Sequence, residues 1–412
     1  MNIKLLLLAI SLFICQFLNA ASPIKMADID IFKLPGMENY DTDNGWSYYK
    51  TINFKNNFYI IAAKKTKNKP LELIINKSDD GYQTFHQQKT ILPEVNTSGY
   101  GHISIELKAT TQAMFLIVET RYSLSTNYLF KSDDGLKWDL LTNFPAYDNF
   151  TDHKISTSDS LIALKYKDRT NFNENNILSS DFANTWSSVK SPCMKYFMFD
   201  LVDNKVFCKN SNEELFFLDA AKINETTPRW NRTNLPLYKK YLDGSEVIYL
   251  KLNNIGTIFK VGSHLFSRVK YRGESCTTPY TYDYETLLFS KDGGYNWQLL
   301  NLDINFGSHF NGPNDEKDDW IDLIGIVEGI DSYYLLSEPE SLYSERYTNI
   351  HEILKTTLDN NETIDTTPTY IISDYTYNNY DLNSTFSIFP NEFILKNKAS
   401  NKENEFSIYR VR

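Results

Sequence analysis

Four short segments with one layout recur along this chain of 412 residues. They read KSDDGYQTF (residues 77–85), KSDDGLKW (131–138), SSDFANTW (179–186) and SKDGGYNW (290–297). In each, an Asp follows a Ser by two residues, a Gly or Ala comes within the next two, and an aromatic residue closes the segment. Each also follows a short apolar run, namely LELII, NYLF, NNIL or ETLLF. A strand and tight turn that recur four times predict an all-β repeat protein.

The residues shared by the four segments suit a tight turn between two strands. The Asp carboxylate can accept hydrogen bonds from turn N–H groups and from the Ser hydroxyl, and Gly permits a positive φ. The closing Trp or Phe can pack between neighbouring sheets. The residues predicted to fill these structural roles are Ser78, Asp80, Gly81, Phe85, Ser132, Asp134, Gly135, Trp138, Ser179, Asp181, Trp186, Ser290, Asp292, Gly294 and Trp297.

The spacing of the four segments predicts further copies. Their Ser residues are separated by 54, 47 and 111 residues, so the last interval has room for a degenerate copy. Residues 214–230 (ELFFLDAAKINETTPRW) supply a strand, an expanded turn and a Trp at that place. The segment that begins at Glu352 (EILKTTLDNNET) is a candidate sixth copy.

These segments resemble the Asp-box, the Ser-x-Asp-x-Gly-x-Thr-Trp hairpin of sialidases, sortilin-type receptors and several other β-propellers. The resemblance implies a β-propeller of four-stranded blades in which the boxes lie away from the catalytic face. We therefore assign the box residues no chemistry. A sortilin-type receptor is disfavoured, because that propeller has ten blades and is followed by cysteine-rich modules and a membrane span.

Prolines indicate how many blades the ring contains. The strand after each of the first four copies ends in Pro, at Pro93, Pro145, Pro192 and Pro236. DIFKLP ends likewise at Pro35 without a preceding strand and turn, whereas STFSIF, EFILKN and EFSIYRV form three C-terminal strands without a fourth. We predict that an N-terminal strand at about residues 28–34 completes this last sheet, closing seven blades and removing two exposed edges. Six blades or an open β-sandwich are the alternatives.

Residues 1–20 have the layout of a secretory signal peptide. Lys4 precedes an apolar run from Leu5 to Leu18, and small residues follow at Ala20 and Ala21. We expect an exported protein, secreted or periplasmic, with a single propeller domain over residues 21–412. No later apolar stretch reaches the length of about 18 residues that a transmembrane helix needs, so no transmembrane segment is expected.

Charge and cysteine content narrow the partners and the chemistry. The net charge is -10 and the longest basic run is a pair of residues, so nucleic acid and anionic membranes are not expected partners. After signal cleavage the chain keeps Cys193, Cys208 and Cys276. In an exported protein, Cys193 with Cys208 is the disulfide candidate, and Cys276 is the odd residue.

The resemblance makes sialidase the first enzymatic hypothesis. Sialidase chemistry needs three arginines for the substrate carboxylate, a Tyr nucleophile with a neighbouring Glu, and an Asp acid/base. The family's first Arg lies in a Phe-Arg-Ile-Pro-like motif before the first box, but here no Arg precedes Arg121, and Lys cannot reproduce a bidentate fork. The remaining roles can be assigned only loosely, to Arg268, Arg272, Glu274, Arg346 and Tyr370, and the favoured interpretation is that these are ordinary strand and loop residues.

Other chemistries find less support in the sequence. The six histidines are scattered without metal-ligand spacing, and no nucleophile elbow, phosphate loop or dinucleotide fingerprint is present. The acidic stretch 314–322 lacks the alternation of a calcium loop, so a solvated insertion is the favoured interpretation. We expect neither a metal nor a cofactor.

A propeller gathers loops from every blade around one mouth, which suits binding of a protein or a glycan. The longest insertions between blades are predicted at Ser263–Tyr284 and Phe306–Asp319. Their aromatic and charged residues form the predicted binding surface, namely Tyr271, Arg272, Tyr280, Tyr282, His309, Phe310 and Trp320. The leading hypothesis is a monomeric, non-catalytic propeller that binds a protein or glycan. A sialidase-like or other glycoside hydrolase is the alternative.

Overall fold

A computed structural model describes most of the chain after the predicted signal peptide. The described residues are 23–41, 45–96, 103–120, 126–145, 154–167, 174–189, 191–193, 199–243, 246–274, 281–300, 306–310, 320–340, 347–360, 370–373, 375–376, 391–397 and 405–411.

The strands form seven antiparallel sheets that follow one another along the chain. Strand β1 (Ile24–Asp30) belongs to the last sheet. The next sixteen strands form blades 1 to 4, four to a blade: β2 (Lys50–Phe54), β3 (Asn57–Lys64), β4 (Pro70–Ser78), β5 (His86–Asn96), β6 (Ile103–Ala109), β7 (Met114–Thr120), β8 (Thr126–Ser132), β9 (Asp139–Pro145), β10 (Lys154–Ser158), β11 (Leu161–Lys167), β12 (Glu174–Ser179), β13 (Ser187–Ser188), β14 (Asp200–Val202), β15 (Lys205–Lys209), β16 (Leu215–Asp219) and β17 (Asn231–Arg232).

The remaining strands form blades 5 to 7. Blade 5 contains β18 (Tyr238–Asp243), β19 (Glu246–Val261), β20 (His264–Glu274), β21 (Thr281–Ser290), β22 (Gln298–Leu299) and β23 (Phe306–Phe310). Blade 6 contains β24 (Trp320–Glu328), β25 (Ser332–Glu340), β26 (Tyr347–Leu354) and β27 (Tyr370–Ser373), with helix α1 (Lys355–Asn360) between its last two strands. Blade 7 contains β28 (Tyr375–Thr376), β29 (Glu392–Asn397), β30 (Glu405–Arg410) and β1.

The hydrophobic core is divided among the contacts between neighbouring blades. Strand β7 reads MFLIVET and is buried on both faces, which explains its continuous apolar run. Its residues alternate between two clusters, since Leu116 packs with Ile61 of blade 1 and Phe115 packs with Leu164 of blade 3. Seven such clusters link successive blades in a ring, and the seventh joins blade 7 to blade 1 through Ile29 and Phe58. The predicted all-β propeller of seven blades is confirmed.

An N-terminal strand closes the ring, as predicted, but four residues earlier than expected. Strand β1 pairs with β30 from Ile24 opposite Arg410 to Asp30 opposite Glu405. A 3-10 turn follows at Ile31–Lys33, because the Asp30 carboxylate accepts a hydrogen bond from the Phe32 N–H at 3.0 Å and turns the chain. The predicted strand STFSIF lies outside the described residues, and the described partner of β29 is β28.

A disulfide lies between blades 3 and 4 of the ring. Cys193 and Cys208 form a disulfide with a Cα–Cα distance of 5.8 Å, which ties the segment after blade 3 to strand β15. Cys276 lies outside the described residues. Within the described part of the chain, no helix is long and apolar enough to cross a membrane.

Candidate functional site

The four Ser-x-Asp turns join β4 to β5, β8 to β9, β12 to β13 and β21 to β22, and each turn is held by its own Asp. In the blade 2 turn, the Asp134 carboxylate accepts hydrogen bonds from the Ser132 hydroxyl at 3.1 Å and from the N–H groups of Leu136 and Lys137 at 2.8 Å. Partial desolvation acts to raise the pKa of Asp134, but these hydrogen bonds outweigh it and hold the pKa below its ordinary value. The pKa values of Asp80, Asp181 and Asp292 are lowered as well.

The Ser-x-Asp turns also contact the blade before their own. The Tyr59 hydroxyl of blade 1 donates to the Asp134 carbonyl at 3.1 Å, and the Lys205 ammonium of blade 4 donates to the Gly293 carbonyl of the blade 5 turn. The Tyr82 hydroxyl of the blade 1 turn donates to the buried carboxylate of Glu392 in blade 7. The turn residues are thus occupied with structural contacts around the ring.

The opposite face of the ring carries the hairpin loops between second and third strands and the connections between blades. Blade 5 projects on this side. Its strand β19 is 16 residues long, and the first part of β19 pairs with β18. Strand β18 is therefore an additional strand at the β19 edge of the sheet. At the same end, β21 pairs with β23. The projection is therefore a five-stranded sheet in the order β18, β19, β20, β21 and β23.

One face of this projecting sheet is buried against blade 4. Leu250, Tyr271 and Tyr284 pack there in one cluster, and the Tyr271 hydroxyl donates to the Pro236 carbonyl at 2.5 Å. The Lys239 ammonium lies 3.2 Å from the centre of the Tyr284 ring, and burial lowers the pKa of Lys239 to about 8. Tyr271 is fully buried, so its prediction as a binding-surface residue is wrong.

The other face of the hairpin β18–β19 is exposed to solvent. Tyr238 lies opposite Lys251, and Lys240 lies opposite Tyr249. Because side chains on alternate strand positions point to the same face, these four form a square in which Tyr and Lys alternate, and we call it the blade 5 patch. The two tyrosines are 62% and 68% exposed, and both lysines are exposed. Arg272, the partner of Lys251 in β20, continues the row.

The blade 5 patch lies in a stretch that is rich in Tyr and Lys. Residues 238–251 read YKKYLDGSEVIYLK, in which Tyr-x-Lys occurs once before and once after Gly-Ser. Residues 238–272 contain seven Lys or Arg and two Asp or Glu, a net charge of +5 in a chain of net charge -10. We did not assign Tyr238, Lys240, Tyr249 or Lys251 from the sequence. The repeated Tyr-x-Lys and the local positive charge are the signals that could have identified them.

The residues proposed for sialidase chemistry are spread over two blades. Arg268, Arg272 and Glu274 lie in β20, and Arg268 and Arg272 are on the same side of that strand because they are four residues apart. Tyr370 begins β27, the outermost strand of blade 6, where it pairs with Ile350. Arg346 lies outside the described residues. The described positions do not bring Tyr370 together with the arginines.

The other predicted binding residues are only partly placed. Tyr282 is the register partner of Phe310, and Asp283 is the partner of His309, so β21 and β23 run side by side in the projection. Trp320 begins β24 opposite Glu340, and Tyr280 lies outside the described residues. We predicted that the segment Ser263–Tyr284 is an insertion between blades, and this prediction is wrong. Most of it forms strands β20 and β21 of blade 5 itself, which are lengthened by pairing with β19 and β23.

A groove of about 530 Å³ runs along the seam between blades 7 and 1. Two salt bridges within its wall already pair its lysines, Lys25 with Asp28 at 2.6 Å and Lys33 with Asp30 at 3.1 Å. Its lining residues are Lys25, Asp28, Ile29, Asp30, Lys33, Leu34, Tyr82, Gln83, Phe85 and Glu405. Among the described residues, no cluster of three or more His, Cys, Asp or Glu side chains could hold a metal ion.

Comparison with known proteins gives fold-level likenesses only. No family model matches the chain, and no curated protein matches it. Among solved structures, it is similar to BamB from Moraxella catarrhalis, with 8% identity, a TM-score of 0.35, and coverage of 94% of this chain and 99% of that one. It is also similar to Trypanosoma rangeli sialidase in complex with sialic acid, with 10% identity, a TM-score of 0.33, and coverage of 89% and 54%.

A third likeness is to a family 117 glycoside hydrolase from Zobellia galactanivorans, with 12% identity and a TM-score of 0.28. It covers 65% of this chain and 89% of that one. At such identities and TM-scores, none of these structures carries information about what this protein binds or catalyses.

Proposed function

We propose that this protein is an exported, non-catalytic Asp-box propeller that binds a protein or glycan partner through the blade 5 patch. The observation that carries the proposal is the pair of tyrosines at 62% and 68% exposure on the solvent face of β18 and β19. Amphipathic Tyr rings suit recognition, because the ring packs on a ligand while its hydroxyl stays hydrated. A single exposed aromatic residue is common on protein surfaces and needs no explanation. Tyr238 and Tyr249 lie on paired strands, so they form a group that can contact one ligand.

Membership of the Asp-box family has support in the turn geometry. In all four turns the Ser hydroxyl donates to the Asp carboxylate, at distances from 2.8 to 3.1 Å. Export has support in the layout of residues 1–20 and agrees with the disulfide between Cys193 and Cys208.

The binding role makes a sharp prediction for a glycan array. The wild-type protein should bind a subset of glycans, and Tyr238→Ala/Tyr249→Ala should lose at least tenfold in affinity because two ring contacts are removed. The matched control is Ile91→Ala/Ile330→Ala, which removes two other exposed apolar side chains, 63% and 76% exposed, and should bind as wild type does. Equal binding by both double variants would place the recognition surface elsewhere.

A glycoside hydrolase remains the second candidate function. The observation that favours it is the placement of Arg268 and Arg272 on one side of β20, where both could approach a substrate carboxylate. A panel of fluorogenic glycosides that includes a sialoside tests this candidate. We expect no turnover, and turnover that disappears in Arg272→Ala would replace the binding role with catalysis.

A further inference from the structure

The blade 5 patch combines two chemistries in one flat square. Each Tyr lies opposite a Lys, and each of the two strands carries one Tyr and one Lys that are two residues apart. Residues two apart in a strand are separated by about 7 Å, and cross-strand partners by about 5 Å, so four side chains cover an area of sugar-ring size. Among the described residues, no salt bridge involves Lys240 or Lys251, and both residues are exposed.

The charges of the patch point to an anionic ligand. Lys240 and Lys251 lie diagonally across the patch, and Arg272 is the register partner of Lys251 in β20. All three are exposed and lie within the stretch of net charge +5. The rest of the chain is acidic, so a folded acidic partner would bring its surface against like charge. A slender polyanion avoids this, because charges more than about 8 Å away are largely screened at physiological ionic strength.

The tyrosines decide between slender polyanions. A polymer that offers only charge gains nothing from aromatic side chains, whereas a sugar ring offers an apolar face that can lie on a Tyr ring. The alternation of Tyr with Lys therefore matches a chain in which ring and charge also alternate.

We propose that the blade 5 patch binds an acidic polysaccharide, in which Tyr238 and Tyr249 stack on sugar rings while Lys240 and Lys251 pair with carboxylate or sulfate groups. This inference rests on the proposed function and names the ligand class of the same surface.

The test measures binding of the purified protein to four immobilised polymers. Polygalacturonate and dextran sulfate carry rings with carboxylate and with sulfate, respectively. Carboxyl-reduced polygalacturonate carries rings without charge, and poly-L-glutamate carries charge without sugar rings. We expect one or both of the acidic polysaccharides to bind at least tenfold more tightly than the carboxyl-reduced polymer and poly-L-glutamate. Their binding should weaken as the salt concentration rises from about 50 to about 200 mM.

Three variants assign the binding to the patch. Lys240→Glu/Lys251→Glu should lose at least tenfold in affinity for the acidic polysaccharide, and Tyr238→Ala/Tyr249→Ala should lose about tenfold without changing the salt dependence. Lys137→Glu/Lys222→Glu makes the same change in charge on the face of the Ser-x-Asp turns and should bind as wild type does. Unchanged thermal unfolding temperatures establish that all three variants are folded.

Several results would overturn the inference. Binding of poly-L-glutamate as tight as that of the polysaccharides would mean that charge alone is recognised, as for an acidic protein segment. Binding of neither acidic polysaccharide, or full binding by Lys240→Glu/Lys251→Glu, would exclude this ligand class. If the glycan array nonetheless shows Tyr-dependent binding of neutral glycans, the proposed function stands and only the acidic ligand fails.

Discussion

The Ser-x-Asp turn of blade 2 and the turn of blade 4 occupy equivalent places but are built differently. In blade 2, the Asp134 carboxylate organises the turn, and Gly135 lies against Tyr59 and Met114. In blade 4, the Asp219 side chain makes no capping hydrogen bond, and a 3-10 turn at Ala220–Lys222 leads to Ile223.

Both turns nevertheless rest on the preceding blade. Ile223 is 3% exposed and packs with Leu161 and Ala163 of blade 3, just as the blade 2 turn packs on blade 1. The two turns therefore share an apolar contact with the preceding blade, although their hydrogen bonding differs. The Ser-x-Asp hydrogen bonds are one means of holding the turn that makes this contact.

The largest expected effect is at Gly135. It has a φ of 78°, and an added Cβ would lie 2.4 Å from the Met114 Cε and 2.7 Å from the Tyr59 ring. Left-handed strain and overpacking together should cost Gly135→Ala about 3 kcal/mol in the free energy of unfolding, measured in urea. Gly81→Ala is the matched control, since Gly81 has a φ of 73° but open space around it, and about 1 kcal/mol is expected. Equal losses would mean that the contact with blade 1 is unimportant.

The next effect tests the blade 4 turn. Ile223→Ala should lower the free energy of unfolding by about 2 kcal/mol, because it removes the apolar side chain that fills the contact with blade 3. Lys222→Ala changes an exposed neighbour whose ion pair with Asp219 is at the surface, and it should cost under about 0.5 kcal/mol. A loss at Ile223 no larger than that at Lys222 would show that this turn does not rest on its neighbour energetically.

The smallest effect concerns charge. Asp134→Asn should cost about 1 kcal/mol at pH 7, because the carboxylate accepts three hydrogen bonds in a turn that water still reaches. The folded-state pKa of Asp134 is lowered, so its stabilising effect is present above the unfolded pKa of about 3.9 and is lost as the pH falls below it. The difference between variant and wild type in urea unfolding should thus shrink from pH 7 to pH 3.

Asp219→Asn provides the comparison within the same fold. Because the Asp219 side chain does not cap its turn, this variant should unfold as wild type does at both pH values. A pH-dependent loss as large as that of Asp134→Asn would erase the distinction between the two kinds of turn.

The fold was predictable because its signal is local and repeated. Each Ser-x-Asp segment fixes a turn within eight or nine residues, and the prolines and unmatched terminal strands required an N-terminal closing strand. The strand bounds were less predictable. Ile31, Phe32 and Leu34 read as strand residues, but the hydrogen bond to Asp30 ends β1 before them.

The candidate site was predictable only in its location on blade 5. The aromatic and charged residues of the segment led us to predict both Tyr271 and Arg272 as binding residues. Adjacent residues of a strand point to opposite faces, so Tyr271 is buried and Arg272 is exposed. Which face is covered depends on contacts with blade 4, which no local pattern encodes. Tyr238 and Tyr249 were missed because the hairpin β18–β19 is an addition to the four-stranded repeat.

The pairing of β1 with β30 makes the propeller circular in all but its covalent bonds. Ile24 and Arg410 are register partners, so a linker of a few residues could join the two ends of this blade. The order of the blades in space would then no longer depend on where the chain starts. A circular permutant opened in the exposed turn between β15 and β16 should close the same ring, with its seam moved from blade 7 to blade 4.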